Sequence, residues 1–279
     1  MAEPPNVLLD VVNRPENVLL VREMLTGVAE AIALDGRELN DVLSAVTEAC
    51  NNVVLHAYEG EEGPLEVEVR VRPHALEVAV RDHGIGIQPQ ENPSEDTLGI
   101  GLPVIQALVH RVEFRDGPGG GTEVWMDFAT TATKTLDTCD LEPSARVPAR
   151  TASVGETTMT VTIVPIELAR TVLPRIMCTL AARAHFTTDR ISDAQLVADA
   201  LVAHAPDALE ADHLRVAMKV QPRNLVLHVG PVGPGRAQRL VGDSQLDGLG
   251  RVIERLADRH LVASSGPEET LTLTLSDRH

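Results

Sequence analysis

A glutamate and two neighbouring asparagines interrupt an otherwise apolar stretch, Glu48 to Tyr58, late in a predicted helix. Glu48 and Asn52 are four residues apart, so they lie on one face of that helix, a turn from each other, with Asn51 alongside. Asparagine is a middling helix former because its side chain competes for the backbone, so two in succession require an explanation. The stretch is either part of a ligand site or a solvated polar stripe with a capping role.

Two glycine-containing segments follow in the same half of the chain. Asp82-His-Gly-Ile-Gly-Ile87 comes directly after a predicted strand, and Leu98-Gly-Ile-Gly-Leu-Pro103 opens a predicted helix. Glycine permits close backbone approach and positive φ, and the amide groups at a helix start can face an anion. Each segment alone is also compatible with an ordinary turn, because strand ends and helix starts use Asp and Gly routinely.

In this order and separation, the three segments resemble the N, G1 and G2 boxes of the Bergerat (GHKL) ATPases. Gly121-Thr122, before the last predicted strand of this half, resembles the G3 position. Within that family the chain is most similar to the bacterial anti-sigma-factor serine kinases, which read E-A-x-x-N followed by H-A-Y or H-G-Y. The matching residues here are Glu48, Ala49, Asn52, His56, Ala57 and Tyr58. The resemblance covers residues 5 to 129.

The resemblance implies that this half of the chain binds ATP. Asp82 would accept the amino group of adenine, with Thr122 behind it. Gly84 and Gly86 would shape the pocket around the base.

The same resemblance implies a site for the phosphates and Mg²⁺. Gly99, Gly101 and the helix that follows would cradle the phosphates, while Asn52 would hold the Mg²⁺ that bridges them. Glu48 would be the general base that takes the proton from a substrate serine hydroxyl, and Asn51 would line the same face.

The segment between the two glycine motifs departs from the family pattern. Residues Gln88 to Leu98 include no Lys or Arg. Related kinases commonly carry a basic residue just before the second motif, where it can neutralise the γ-phosphate. ATP binding is therefore a firmer expectation than transfer of the phosphate.

Two functions are compatible with these motifs. The first is a serine/threonine kinase that binds a sigma factor and phosphorylates its antagonist, a protein of the STAS type. The second is an ATP-regulated protein-binding module with little or no kinase activity, which the missing basic residue favours. A chaperone or mismatch-repair ATPase is disfavoured, because those proteins carry long downstream domains.

Composition and charge exclude several other function classes. The chain has 279 residues and a net charge of −17, and residues 1 to 128 hold 8 Arg, no Lys and 23 Asp or Glu. Such an acidic half would repel a phosphate backbone, so no nucleic-acid partner is expected. The three cysteines show no C-x-x-C spacing, which argues against a disulfide framework and a zinc site. Without a long apolar run, the protein is expected to be cytoplasmic and free of membranes.

The apolar periodicity predicts an α+β fold. The predicted order in the first half is βααββαββ, a Bergerat α/β sandwich with helices on one face of a mixed, mostly antiparallel sheet. The same order restarts near Thr158, after a Thr, Ala and Pro-rich stretch. We therefore expect a tandem of domains, at residues 1–129 and 156–279, joined by a linker at 130–155.

A residue-level repeat supports this duplication. An offset of 149 places Leu76 on Leu225, and it places four glycines on Gly233, Gly235, Gly248 and Gly250. The same offset places Asp82 on Pro231, and only Ala and Val are expected where the asparagines should fall. The second domain is thus expected to keep the fold without a nucleotide site, which would allow an intramolecular pseudodimer or a homodimer. The alternative is that these glycines make turns in an unrelated α+β domain.

Overall fold

A computed structural model describes residues 5–85, 101–117, 120–133, 136, 157–209, 213–246, 248–266 and 268–277. The chain divides into two compact units, Met1–Leu136 and Asp137–His279. Both units are α+β, as the periodicity predicted.

The first unit contains a five-stranded sheet in the order β1-β2-β3-β5-β4. Its strands are β1 (Val7–Val12), β2 (Pro64–Arg72), β3 (Ala75–Asp82), β4 (Arg111–Asp116) and β5 (Thr122–Ala129). Every described neighbour pair in it is antiparallel, so the parallel pairing implied by a mixed sheet is not found there. Apolar side chains at alternate positions of the first three strands are buried and face the helices.

Three helices accompany this sheet: α1 (Val18–Ile32), α2 (Gly36–His56) and α3 (Gly101–Leu108). Helix α1 ends where Ala33 takes a left-handed conformation, with φ of 56°, and its N–H bonds back to the last turn. Helix α3 was expected to continue to about Arg111, but that residue begins β4 and pairs with Asp127 instead.

The first unit continues past the end of β5 into residues that the sequence assigned to the linker. Thr130 N–H donates to the His74 carbonyl at 2.9 Å, and His74 N–H donates to the Ala132 carbonyl at 3.2 Å. Thr130 and Ala132 are buried. The predicted linker lies otherwise outside the described residues, apart from Thr133 and Leu136.

The second unit has the sheet order β6-β7-β8-β12-β11, which corresponds strand for strand to that of the first. Its elements are β6 (Thr157–Ile163), α4 (Ala169–Arg183), α5 (Thr188–Ala208), β7 (Leu214–Gln221), β8 (Asn224–Val232), α6 (Arg236–Gly242), β9 (Gln245–Leu246), β10 (Gly250–Arg251), α7 (Val252–Leu256), β11 (Arg259–Ser265) and β12 (Glu268–Ser276). The short ribbon of β9 and β10 pairs only with itself among the described strands.

The segment after β8 differs most from the predicted element order, which has one helix there where the structure has two short helices, α6 and α7. Gly248 and Gly250 have positive φ of 79° and 69°, so the backbone there is not helical. Helix α7 spans only Val252–Leu256, and the chain then enters β11.

Candidate functional site

Helix α2 is fixed at its start by a reciprocal capping box. The Asp35 side chain accepts hydrogen bonds from Arg37 N–H and Glu38 N–H, each 2.8 Å. The Glu38 carboxylate accepts one from Asp35 N–H at 3.2 Å and another from Thr131 N–H at 2.6 Å. The helix start is therefore attached to the chain that follows β5, and its last turns extend toward the end of β3.

The predicted polar stripe lies in the last turns of α2. Glu48, Asn51 and Asn52 are half-buried, and Leu55, a turn further on, is 67% exposed. The neighbouring stripe of the helix is buried in the core: Ala45, Val46, Ala49, Cys50 and Val53. Within the part of the chain that the structure describes, the side chains of Glu48, Asn51 and Asn52 make no hydrogen bond to protein. Their oxygens and amide groups therefore remain able to bind a ligand.

Asp82 is the last residue of β3, and its inward position places it on the helix-facing side of the sheet. Only 4% of Asp82 is exposed. One carboxylate oxygen accepts a hydrogen bond from Gly84 N–H at 2.9 Å. A buried carboxylate retains a strong demand for further donors, so this group can accept an N–H from a bound molecule.

Gly84 brings the loop after Asp82 against the end of α2. A Cβ atom at Gly84 would lie 1.9 Å from the Ala57 carbonyl oxygen, a distance that no side chain could tolerate. That oxygen accepts a hydrogen bond from Ile85 N–H at 3.0 Å. The glycine in this motif therefore serves a helix-to-loop contact, which joins the loop after Asp82 to the end of α2.

Thr122 occupies the position on β5 opposite Asp82. Arg81 pairs with Glu123, so the next antiparallel step places Thr122 across from Asp82. The preceding residue, Gly121, lies against the same point, because its added Cβ would be 2.1 Å from the Asp82 carbonyl oxygen. The predicted position of Thr122 behind the adenine acceptor is compatible with this register.

Tyr58 connects strand β2 to the loop after Asp82, a role that the sequence motif did not indicate. Its hydroxyl donates to the Pro64 carbonyl at 2.5 Å and accepts from His83 N–H at 2.8 Å. Burial raises the pKa of Tyr58 to about 12, so the hydroxyl keeps its proton at neutral pH. The His83 ring also pairs with Glu66 at 3.0 Å.

A buried ion-pair network lies on the opposite face of the sheet, directly behind Asp82 and Thr122. The Arg81 guanidinium contacts the Glu68 carboxylate at 2.5 Å and also pairs with Glu123. Glu68 is 2% exposed and also binds Arg70 at 2.7 Å. Burial lowers the pKa of Arg81, but hydrogen bonds and charge from the two glutamates outweigh it, and the net shift is upward. The network links β2, β3 and β5 where the site begins.

Of the three remaining predicted glycines, the structure describes only Gly101. Gly101 begins α3, which packs against α2 and buries Ile105 completely. Gly86 and Gly99 lie outside the described residues.

The residues present fit Mg²⁺ that arrives with a nucleotide rather than an independent metal site. No group of three or more His, Cys, Asp or Glu side chains among the described residues could hold a metal ion. An amide oxygen, as on Asn52, is a hard ligand of the kind that Mg²⁺ accepts, and Mg²⁺ usually takes its remaining ligands from phosphates and water.

Comparison with known proteins identifies the first unit. Residues 11–128 match the histidine kinase-like ATPase domain. The serine-protein kinase RsbW of Bacillus pumilus is 34% identical over 122 residues, which are 38% of this chain and 75% of that kinase. The chain belongs to the anti-sigma kinase family of histidine kinase-like ATPases. The anti-sigma F factor of Clostridium beijerinckii is 28% identical over 126 residues, 42% of this chain and 88% of that factor.

The match to the histidine kinase-like ATPase domain ends at residue 128, before the second unit. Among solved structures, crystal form I of TP0453 aligns over 99% of this chain and 91% of that chain, with 8% identity and a TM-score of 0.39. That similarity is too low to inform the fold. None of the helices that the structure describes is both long and apolar enough to cross a membrane.

The second unit replaces the anti-sigma kinase motif on its long helix. Helices α2 and α5 both have 21 residues, so alignment at their starts places Ala200 at Glu48, Ala203 at Asn51 and His204 at Asn52. The sequence predicted only Ala and Val at the asparagine positions, and this alignment places His204 at one of them. The His204 ring bonds the Gln245 carbonyl oxygen at 3.0 Å, so this side chain already has a protein partner.

The position of Asp82 is also replaced, although not by the residue that the offset indicated. An irregularity in the pairing of β8 with β12 leaves Pro231 exposed and turns Val232 inward, where it is 1% exposed and pairs with Glu269. The Glu269 carboxylate accepts hydrogen bonds from Gly235 N–H at 2.9 Å and Ala237 N–H at 3.2 Å. The start of α6 and Glu269, the glutamate that caps it, therefore lie next to the end of β8.

Proposed function

We propose that the first unit is an ATP-dependent serine/threonine kinase of the anti-sigma type, which binds a sigma factor and phosphorylates a STAS-type antagonist. The observation that carries this proposal is the placement of the Asp82 carboxylate. It is buried at the end of β3, with one described donor, and Gly84 packs the loop that follows against Ala57, just after the helix that carries the uncommitted Glu and Asn side chains. Relatives bearing the names anti-sigma F factor and serine-protein kinase support the choice of family.

In this proposal Asp82 selects adenine. Its carboxylate accepts the amino group of the base, and Thr122 lies behind it on the adjacent strand. A base with a carbonyl in place of that amino group would face the carboxylate with an acceptor, so guanine would be rejected. Gly84 and Gly86 would form the wall of this pocket, and Gly99 and Gly101 would contact the phosphates; Gly86 and Gly99 lie outside the described residues.

Phosphoryl transfer is assigned to the stripe of α2. Asn52 would hold Mg²⁺, with Asn51 on the same face of the helix, and the metal would supply positive charge that offsets the charge on the phosphate oxygens. The serine oxygen of the antagonist attacks the γ-phosphorus while the bond to the bridging oxygen breaks, and ADP leaves. Glu48 accepts the proton that the serine hydroxyl loses.

The second candidate is an ATP-regulated binding module that retains its partner according to nucleotide state. The observation in its favour is the segment Gln88 to Leu98, which has no Lys or Arg to offset the γ-phosphate charge. In both candidates the partners are proteins, the location is the cytoplasm, and the chain carries one nucleotide. Two domains of this fold would be paired either in a homodimer of the chain or in an intramolecular pseudodimer formed with the second unit.

Calorimetry and a phosphate-transfer assay on the full chain together test these functions. The full chain should bind ATP with Mg²⁺ and move radiolabel from [γ-³²P]ATP to a STAS-domain antagonist of the same organism. Transfer to the antagonist's serine supports the kinase. ATP binding without transfer to any antagonist tested supports the binding module, and the absence of ATP binding contradicts both.

A further inference from the structure

We infer that Tyr58 is a positioning residue for adenine recognition, an inference that rests on the proposed function. Its hydroxyl is the only described side-chain group that hydrogen-bonds the backbone of the loop residue after Asp82. The ring follows α2 by two residues, so one side chain connects the catalytic helix with the loop that reads the base.

The Tyr58 hydroxyl contacts both the loop after Asp82 and strand β2. The Tyr58 hydroxyl accepts from His83 N–H at 2.8 Å and donates to the Pro64 carbonyl at 2.5 Å, at the start of β2. Leu65, the next residue of β2, pairs with Asp82. The hydroxyl therefore joins β2 to the loop at the position immediately after the carboxylate that would accept the amino group of adenine.

Gly63 allows the ring to reach this position. An added Cβ at Gly63 would lie 2.1 Å from the nearest ring carbon of Tyr58, so the ring lies flat against the glycine backbone. That backbone is held in turn by Asn13, whose side-chain oxygen accepts Gly63 N–H at 2.8 Å. The ring is thus set from behind by β2 and the segment before it, and the hydroxyl has little freedom to move.

The second unit separates this role from the needs of the fold. Gly233 N–H donates to the Ala208 carbonyl at 3.2 Å, just as Ile85 N–H donates to the Ala57 carbonyl at 3.0 Å in the first unit. The helix-to-loop bond is therefore common to both units. The tyrosine bridge belongs to the unit with Asp82, while in the other the Arg236 guanidinium binds two carbonyls near the end of α5, those of Asp207 and Leu209.

Two hydrogen bonds of ordinary strength to one hydroxyl predict a moderate and selective effect. Tyr58→Phe keeps the ring but frees His83 N–H and the Pro64 carbonyl, so the loop can shift relative to the base. We expect ATP affinity to fall by about 3- to 10-fold. Affinity for purine riboside triphosphate, which lacks only the amino group, should change by less than about 2-fold, because that ligand makes no bond to Asp82.

Ser244→Ala in the second unit is the matched control. The Ser244 hydroxyl also bridges two main-chain groups, donating to the Val241 carbonyl at 2.7 Å and accepting Ile253 N–H at 3.1 Å, but no carboxylate stands at that site. It should lower the melting temperature without changing the ratio of the two nucleotide affinities. Gly63→Ala displaces the Tyr58 ring from behind, so it should reduce the ratio of the two nucleotide affinities as Tyr58→Phe does. It serves as the test variant if Tyr58→Phe is poorly folded.

The experiment is calorimetry of the full chain with the two triphosphates in the presence of Mg²⁺. A fall in the ATP preference confined to the Tyr58 and Gly63 variants supports the inference. An unchanged preference, or an equal loss of both affinities, overturns it while leaving the proposed function intact. A parental chain that binds neither nucleotide defeats the proposed function, and the positioning role with it.

Discussion

Exchange of Asp82 for Asn tests the adenine assignment with the smallest change of shape. The two side chains are nearly the same size, so the packing around this buried position is kept. Asparagine can still accept Gly84 N–H through its oxygen, the contact that Asp82 makes at 2.9 Å. Its other terminal atom then becomes an NH₂ group, which would meet the amino group of adenine donor to donor.

The expected loss has two parts. A hydrogen bond to a charged acceptor contributes about 1.5–3 kcal/mol, and a buried donor left without a partner costs about 1–3 kcal/mol more. The sum is about 2.5–6 kcal/mol, or roughly 60- to 20,000-fold in the dissociation constant of ATP. Calorimetry measures the dissociation constants of the variant and the parent directly. A thermal shift would confirm it, since ligand at 100 times its dissociation constant stabilises the parental chain by about 2.7 kcal/mol.

Asp127→Asn provides the control for Asp82→Asn. Asp127 lies on β5 at an alternate position facing the other side of the sheet, and one of its carboxylate oxygens is buried without a described partner. Its exchange should leave ATP affinity unchanged. An Asp82→Asn chain that folds normally and binds ATP within 3-fold of the parent would refute the assignment.

Three further predictions follow. Glu48→Gln should keep ATP affinity within about 3-fold and reduce radiolabel transfer by about 100-fold or more; transfer at the parental rate would remove Glu48 as the base. Gly84→Ala should destabilise the first unit by about 1–3 kcal/mol and weaken ATP, because its Cβ would meet a helix carbonyl oxygen at 1.9 Å. Gly36→Ala, with nothing within 4 Å, is its control and should not lower the melting temperature. The full chain should bind one ATP, and a calorimetric stoichiometry near two would contradict the loss of the second site.

Local signals in the sequence were enough to predict the framework of the first unit. The apolar periodicity predicted the element order of this unit, including the adjacent strands β2 and β3. The spacing of Glu48 and Asn52, together with the glycine motifs, identified the family before any geometry was available. These features depend on residues close together in the chain, which is why they could be read from it.

Features that depend on strand register could not be predicted in this way. Alternation assigns Glu68, Arg81 and Glu123 to the outward side of their strands, where charged residues are ordinarily solvated. Only the pairing of β2 with β3 and of β3 with β5 shows that they form one buried network. The Tyr58 bridge was missed for the same reason, since its partners come from β2 and from the loop after β3.

A local irregularity in the pairing of β8 with β12 also explains why the fixed offset of 149 residues gave the wrong residue in the second unit. The offset predicted Pro231 at the position of Asp82, but the shift in register between β8 and β12 exposes that proline and turns Val232 inward. A sequence repeat counts residues, whereas the position of a side chain depends on which face of the strand it occupies, and one extra residue reverses that face. The β8 residue that faces inward at this position is Val232, which carries no carboxylate.

The glutamate that caps α6 has an evolutionary consequence. Val232 pairs directly with Glu269, so a single reversion of the valine to aspartate would bring two carboxylates face to face across neighbouring strands. Removing Glu269 first would strip the caps from Gly235 N–H and Ala237 N–H. Each of these two substitutions alone would therefore destabilise the second unit, with no bound ligand to offset the loss. An inward carboxylate on β8 of the second unit would therefore require changes at both Val232 and Glu269.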